Sequence, residues 1–249
     1  MTSAQPALSS AGAVTGNRTL EIAMHPYTKS LKTLLESHGN PAQAAPMKRY
    51  MRDQFEFLGI KSPQMGELLK DFRAQHGLPP VEDLDAVVCD LWALPQREFQ
   101  YAATGLIGRL EKQLPEDFIS TLEYLLVTKS WWDTVDTLSG NAIGTHFARF
   151  PKTRRKTLAR WRKSDNFWLR RATLLFQLGY KDKTDFDLLR ELIRENLGSR
   201  EFFINKAIGW SLRQYSRIDE QGVRDFVAST PLHQLSAREA LSWLEHREK

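Results

Sequence analysis

The chain has 249 residues, of which 41% are hydrophobic and 10% aromatic, which is enough apolar material for a buried core and excludes a wholly disordered chain. The formal net charge of +5 by itself only weakly indicates a polyanionic partner. A single cysteine, Cys89, excludes a disulfide framework and a thiolate metal site within one chain, and we expect a cytoplasmic protein.

The first 22 residues are rich in alanine, serine, threonine and glycine, and no basic start is followed by an unbroken apolar block. This composition predicts a disordered tail, to which we assign no role, followed by a single domain over residues 23–249. No later stretch approaches the length of about 18 consecutive apolar residues that a membrane span requires, so we expect no membrane segment.

After the tail, proline and cap signals divide the chain into short helical units, and strand signals are nearly absent. Apolar residues recur at helical spacing between these signals, as in Met65, Leu68, Leu69 and Phe72. The fold class is therefore all-α, with around a dozen helices of roughly 10 to 18 residues, either as a globular bundle or as stacked helix pairs. No clear sequence repeat distinguishes these two architectures. Helices with one apolar stripe and one basic or aromatic stripe favour HEAT-like repeats in a curved α-solenoid with a basic concave surface.

A run with two tryptophans and two aspartates begins at Trp131. If the run is helical, Trp131 shares an apolar stripe with Val135, whereas Trp132 lies four residues from Asp136 on the adjacent stripe. We therefore expect Trp131 in the core and Trp132 presented beside the Asp136 carboxylate. Asp133 lies near the first turn of the predicted helix, where a negative charge interacts favourably with the helix dipole. Asp136 lies further into the helix and gains less from this interaction.

The stretch between Asp136 and Asp165 contains no acidic residue but is strongly basic. Its cations are Arg149, Lys152, Arg154, Arg155, Lys156, Arg160, Arg162 and Lys163. A surface selected only for solubility mixes both signs, so this run favours contact with phosphates, and a solvated helix and loop is the alternative.

In the predicted helix over residues 166–178, Arg171 falls on an apolar stripe with Phe167 and Leu174. A buried arginine needs an anion, either a phosphate or a carboxylate such as Asp136, and pairing for stability alone is the alternative.

In the predicted helix over residues 202–217, one stripe is aliphatic and accounts for the core. The neighbouring stripe consists of Lys206, Trp210, Arg213 and Arg217. Cations around an indole suit a phosphodiester backbone, and a solvated face with Trp210 under a neighbouring helix is the alternative.

Other catalytic patterns are lacking: the six histidines have no metal-ligand spacing, and there is no glycine-rich phosphate loop or serine nucleophile elbow. We therefore expect neither a metal nor a cofactor.

Five short runs together resemble the AlkD-type DNA alkylation repair enzymes, which are DNA glycosylases built from HEAT-like repeats. The runs are residues 47–55 with Leu58-Gly59-Ile60, residues 97–101, residues 130–136, Trp168-Leu169-Arg170-Arg171 and residues 206–213. The resemblance extends over roughly residues 25–245.

The resemblance implies that Asp136 is the catalytic carboxylate and that the rings of Trp132 and Trp210 lie against the sugar of the damaged nucleotide. It further implies that Arg171 and Arg213 contact the DNA backbone, and it puts Tyr50 near the lesion, which periodicity did not suggest. From the residue patterns themselves we add Lys206, Arg217, Arg154, Arg155 and Lys156 as DNA contacts.

The activity implied by the resemblance is removal of N3- and N7-alkylated purines, such as 3-methyladenine and 7-methylguanine, from double-stranded DNA, which leaves an abasic site. We expect a monomeric, monofunctional glycosylase. Two alternatives from other classes are a non-catalytic binder of distorted or damaged DNA and a protein-binding helical scaffold.

Overall fold

The computed structural model describes residues 24–247, and within this part of the chain the regular structure is helical. The predicted tail, residues 1–22, lies outside the described residues. The α-helices are α1 (Pro26–Ser37), α2 (Pro41–Tyr50), α3 (Ser62–His76), α4 (Leu84–Ala93), α5 (Arg97–Leu110), α6 (Ile119–Val127), α7 (Trp132–Leu138), α8 (Gly144–Arg149), α9 (Pro151–Trp161), α10 (Phe167–Leu175), α11 (Phe186–Arg194), α12 (Phe202–Tyr215), α13 (Glu220–Ser229) and α14 (Gln234–Arg247). None of them is both long and apolar enough to cross a membrane.

Local sequence explains where several of these helices begin. Pro26, Pro41 and Pro151 each occupy the first position of a helix, where a missing backbone N–H costs nothing. The side chain of Asn166 caps α10 by accepting a hydrogen bond from the Trp168 N–H at 2.9 Å. Proline and cap signals in the sequence therefore mark the starts of these four helices.

Two predicted features of the helices were wrong. The helix α10 ends at residue 175 and not at 178, and α12 ends at residue 215 and not at 217. The helices α7 and α8 have only seven and six residues, fewer than the predicted minimum of about ten. The short helices arise because a π-helical segment, Ser139–Ile143, interrupts the chain between them. Such a segment shifts the backbone register, so the side chains of α7 and α8 do not follow one continuous 3.6-residue period.

The helices stack in two rows, as an α-solenoid does, so the predicted fold class is confirmed. One row consists of α5, α7, α10, α12 and α14, and each of its helices contacts the next. We call it the site row. The other row consists of α4, α6, α9, α11 and α13. The helices of the site row pack on it, with α5 on α4, α7 on α6, α10 on α9 and α11, and α12 on α13. The basic concave surface stays a prediction.

Candidate active site

Asp136 on α7 is paired with Arg171 on the neighbouring α10. The Arg171 Nε donates to Asp136 Oδ1 at 2.7 Å, and Nη2 donates to Oδ2 at 2.8 Å. The remaining nitrogen, Nη1, donates to the Phe203 carbonyl oxygen. Only 13% of the Asp136 side chain and 3% of the Arg171 side chain are exposed. The pairing fixes the orientation of the carboxylate, because a bidentate arginine constrains both oxygens.

The same geometry changes what can be expected of Arg171. Its stripe predicted burial beside an anion, and the anion within the protein is the Asp136 carboxylate. Since all of its donor nitrogens are engaged inside the protein, little of Arg171 is left for a phosphate. Its contact with DNA stays a prediction.

Two opposing influences act on the Asp136 carboxyl group. Burial raises its pKa above the ordinary aspartate value, and the neighbouring Asp133 carboxylate acts in the same direction. The hydrogen bonds and charge of Arg171 lower the pKa and partly offset the burial. The protein thus keeps a desolvated anion in place with a single dedicated cation.

Asp136 and the two predicted tryptophans border one cleft of about 350 Å³. Its lining residues are Trp132, Asp136, Arg171, Phe202, Phe203, Lys206, Trp210 and Arg213. Trp132 also borders two adjoining clefts, whereas Trp131 packs against Trp168 and Phe203 at centroid distances of 6.1 and 5.3 Å. The two adjacent indoles therefore face different surroundings, although not for the predicted reason. Trp131 precedes α7 as its N-cap residue with an extended backbone, so it shares no helical stripe with Val135, and it is half-buried against the core.

Tyr50, at the last position of α2, lies next to Trp132. The two ring centroids are 6.4 Å apart with an interplanar angle of 75°, and Tyr50 is 74% exposed. Periodicity gave no sign of this position, because Tyr50 belongs to no apolar stripe and reaches Trp132 across more than eighty residues of sequence. Only the resemblance had indicated it.

The loop that follows Tyr50 is held by a buried glutamate of α5. Glu98 accepts hydrogen bonds from the backbone N–H groups of Leu58, Gly59 and Ile60 at 2.9, 2.9 and 3.1 Å. Gly59 has a φ of +90°, and a Cβ there would meet the Asn40 carbonyl oxygen at 2.0 Å, so only glycine fits between the loop and α2. The loop is thereby fixed to both α2 and α5.

Asp133 has a role that sequence reasoning missed. It accepts hydrogen bonds from Arg97 Nη2 at 2.6 Å, from Arg97 Nε at 3.1 Å and from the Tyr101 hydroxyl at 2.7 Å. Arg97 is fully buried and also lies over the Phe55 ring, 3.8 Å from its centroid. Burial, together with Asp133, raises the pKa of Tyr101, so the phenol remains a donor to that carboxylate.

The helix dipole sufficed to explain Asp133 from sequence, and nothing local pointed to Arg97 as its partner. Asp133 and Asp136 are thus each paired with a buried arginine from an adjacent helix of the site row. The helix α7 is thus held by its neighbours on both sides, α5 through Asp133 and α10 through Asp136.

The predicted stripe of Lys206, Trp210, Arg213 and Arg217 is less cationic than the sequence suggested. Lys206 Nζ lies 2.6 Å from Glu239 Oε1, and Arg213 Nη1 lies 3.0 Å from Glu239 Oε2. Two of the three cations around the indole are thus compensated, because a carboxylate from α14 lies between them. Arg217 is exposed, with its guanidinium 5.5 Å from the centroid of the Trp243 ring.

The long basic run is also partly compensated. Arg160 pairs with Glu123, and Arg162 pairs with Glu191 and Glu195. A run without acidic residues in sequence can thus find acidic partners on neighbouring helices, which weakens the inference from its composition.

The three residues of that run chosen as DNA contacts have different environments. Arg155 and Lys156 are exposed, whereas Arg154 is half-buried beside Tyr180. None of the three lines the clefts that Trp132 borders. Their contact with DNA stays a prediction.

Among residues 24–247, no group of three or more histidine, cysteine, aspartate or glutamate side chains is arranged to hold a metal ion.

Comparisons with known proteins agree on one family. A family model described as DNA alkylation repair enzyme matches residues 31–244. A solved structure described as a predicted DNA alkylation repair enzyme from Enterococcus faecalis is 35% identical in sequence, with a TM-score of 0.76. That similarity covers 83% of this chain and 96% of the other. A search of curated proteins gave no match.

Proposed function

Since the chain belongs to the DNA alkylation repair enzyme family, we propose that it is a monofunctional DNA glycosylase. It hydrolyses the N-glycosidic bond of cationic N3- and N7-alkylated purines, such as 3-methyladenine and 7-methylguanine, in double-stranded DNA and leaves an abasic site. The observation that carries this proposal is the Asp136 carboxylate, oriented by Arg171 at a cleft that two indole rings also line.

The charges of the reaction match these groups. Alkylation at N3 or N7 makes the purine cationic, so the base leaves as a neutral molecule and needs no acid to protonate it. As the glycosidic bond breaks, positive charge develops on the deoxyribose, as in the oxocarbenium-like transition state of glycoside hydrolysis. A site without a histidine at its cleft is sufficient for such a leaving group.

Each group then has a distinct role. Asp136 stabilises the charge on the sugar and positions the attacking water. The faces of Trp132 and Trp210 add cation–π attraction to the same charge. Arg171 keeps the carboxylate ionised and aimed at the cleft. Tyr50 lies beside Trp132 and provides a further contact near the lesion.

Lys206 and Arg213, in the same cleft, are suited to hold the phosphates that flank the damaged nucleotide. The exposed residues Arg217, Arg155 and Lys156, together with Arg154, extend the contact along the duplex. We expect the protein to act as a monomer. We expect no strand-cleaving lyase activity, because the amine of Lys206 is held by the Glu239 carboxylate.

The test is release of free 3-methyladenine and 7-methylguanine from alkylated duplex DNA. The wild type should release both, and Asp136→Asn should release them roughly two orders of magnitude more slowly, as expected for loss of one preorganised electrostatic group. Asparagine retains an oxygen for Arg171, so the variant should still fold, which a thermal melt will verify.

Asp165→Asn is the matched control, because Asp165 is exposed and lies outside the clefts around Trp132. Excision by Asp136→Asn at the wild-type rate would refute the role of the carboxylate. If the wild type binds duplex DNA but releases no base, the protein is instead a non-catalytic binder of damaged DNA. If it binds no duplex even at low salt, the helical stack serves another partner, such as a protein.

A further inference from the structure

Glu239 holds two cations of the candidate active site at once. One carboxylate oxygen is 2.6 Å from Lys206 Nζ and the other is 3.0 Å from Arg213 Nη1. Only 16% of the Glu239 side chain is exposed, against 40% for Lys206 and 34% for Arg213. The carboxylate thus lies beneath the two cations, both of which line the cleft of Asp136.

Close packing of α14 on α12 fixes this position. A Cβ at Gly209 would lie 2.5 Å from the Glu239 Cβ and 2.9 Å from the Ser236 carbonyl oxygen, so the absence of a side chain at Gly209 permits the contact. The Ser236 hydroxyl donates to the Asn205 carbonyl oxygen at 2.8 Å and ties the same two helices together. The backbone of Glu239 is therefore held in place next to Lys206 and Arg213.

The charge of Glu239 is well supported. The hydrogen bond from Lys206 is the largest influence that lowers its pKa, and the charges of Lys206, Arg213 and Arg238 act in the same direction. The group of Lys206, Arg213 and Glu239 consequently has a net charge of +1, where the two cations alone would have +2.

We propose that Glu239 is an internal stand-in for a DNA phosphate. This inference rests on the proposed function, because it requires the DNA backbone to enter the cleft. A carboxylate and a phosphate are the same class of acceptor for lysine and arginine. Before DNA binds, Glu239 satisfies Lys206 and Arg213, and a backbone phosphate must compete with it for both. Glu239 thereby lowers the affinity for every duplex and favours dissociation from undamaged DNA.

The test compares Glu239→Gln with the wild type in binding to an undamaged duplex over a series of salt concentrations. Removing the competing charge should tighten binding several-fold, on the order of fivefold at low salt. The slope of log K against log salt should steepen by roughly 0.9, the value for one further neutralised phosphate. Glu245→Gln is the matched control, since Glu245 is an exposed glutamate on the same helix.

A second comparison separates competition from a general charge effect. Lys206→Met should weaken DNA binding less in the wild type, where Glu239 already occupies Lys206, than in the Glu239→Gln background. A cycle with no such difference, or Glu239→Gln binding that is unchanged or weaker, would overturn the proposal, because Glu239 would then only orient the cations. Thermal melts of all four proteins will show that the comparison is made between folded states.

Base release distinguishes this proposal from the glycosylase assignment. If the wild type excises alkylated purines while Glu239→Gln binds no more tightly, only the role of Glu239 fails. If the wild type binds duplex but excises nothing, the glycosylase assignment fails, and the salt series still decides the role of Glu239. If the wild type binds no duplex at all, both proposals fail.

Discussion

At the scale of single residues, the site depends on how Arg171 controls the Asp136 carboxyl group. Burial favours the neutral acid, whereas the mechanism requires the anion. An aspartate with a raised pKa is ionised only above that raised value. Excision should therefore decline, as the solution is acidified, at a higher pH than an ordinary aspartate with a pKa of 3.8 would give.

Arg171→Lys should move this acid limb of the rate profile further upward. Lysine retains a positive charge but cannot donate two parallel hydrogen bonds, so the effect that lowers the pKa of Asp136 is weakened. We expect the excision rate at neutral pH to fall about tenfold, the equivalent of roughly 1.4 kcal/mol. The measurement is the single-turnover rate of 7-methylguanine release between pH 4 and 8.

DNA binding by the same variant addresses the other role predicted for Arg171. If Arg171 only positions Asp136, the affinity for an undamaged duplex and its salt dependence should be unchanged. A weaker affinity at an unchanged salt slope would instead show that Arg171 contacts a phosphate, because lysine keeps the charge but loses the two parallel hydrogen bonds. An acid limb that stays in place while the rate falls would contradict the positioning role.

At the scale of elements, the chain between α2 and α3 is placed by contacts from α5 and not by its own periodicity. The three N–H donors of residues 58–60 converge on Glu98, and the Arg97 N–H donates to the Glu56 carbonyl oxygen at 2.8 Å. Tyr50 is at the end of the helix that leads into this loop. The position of its ring against Trp132 thus depends on a carboxylate of another helix.

Glu98→Gln should loosen this loop. Glutamine replaces one acceptor oxygen with an NH₂ group that faces a backbone donor, which leaves buried N–H groups unsatisfied at a cost of about 1–3 kcal/mol in the free energy of unfolding. Urea denaturation measures the loss, and hydrogen exchange should be faster at the amides of residues 58–60.

The exposed Glu67 on α3 provides the control, as Glu67→Gln, which should leave both measurements unchanged. Unaltered amide protection at residues 58–60 in Glu98→Gln would mean that the loop is held by other contacts, such as Asn40 and Phe55.

At the scale of the whole molecule, the stack of helices is joined by side chains that reach from one element to another. His146 on α8 is fully buried, and its Nε2 lies 3.2 and 3.0 Å from the carbonyl oxygens of Pro115 and Glu116, which precede α6. Burial lowers the pKa of this histidine below its ordinary value of 6.5. The folded protein therefore keeps the neutral imidazole at a pH where the unfolded chain already takes up a proton.

The sign of the resulting pH dependence follows from that difference. The unfolded state binds more protons just below pH 6.5, so the free energy of unfolding should fall as the pH is lowered through and below that value. His146→Gln removes the titrating group but keeps a donor for the two carbonyls. Urea denaturation at pH 7.5 and 5.5 should show a smaller loss of stability for the variant than for the wild type, and an equal loss would rule out His146 as its source.

The candidate site is assembled only when the site row forms. Apart from Tyr50 on α2, its side chains come from α5, α7, α10, α12 and α14, and each of these helices contacts the next in the row. A helical stack of this kind brings the same face of successive helices to one surface. Residues far apart in sequence therefore act at one place.

Sequence predicted well the features that depend on a single helix. The 3.6-residue period put Trp132 and Asp136 on adjacent positions of one face and marked Arg171 as a buried cation in need of an anion. It did not place Trp131, because that residue precedes α7 with an extended backbone. Those inferences needed only the fixed angle between successive side chains on a helix. The all-α fold followed from the same periodicity together with the proline and cap signals.

What the amino-acid sequence by itself determined is which side of each helix is apolar and which side presents charge or an indole. What only the tertiary structure decided is which charges meet: Arg97 with Asp133, Arg171 with Asp136, and Glu239 with Lys206 and Arg213. The physical reason is the separation along the chain over which each kind of interaction acts. Helical periodicity is set within a few residues by local sterics and hydrogen bonds, whereas an ion pair between helices depends on their packing, which side chains tens of residues apart determine together.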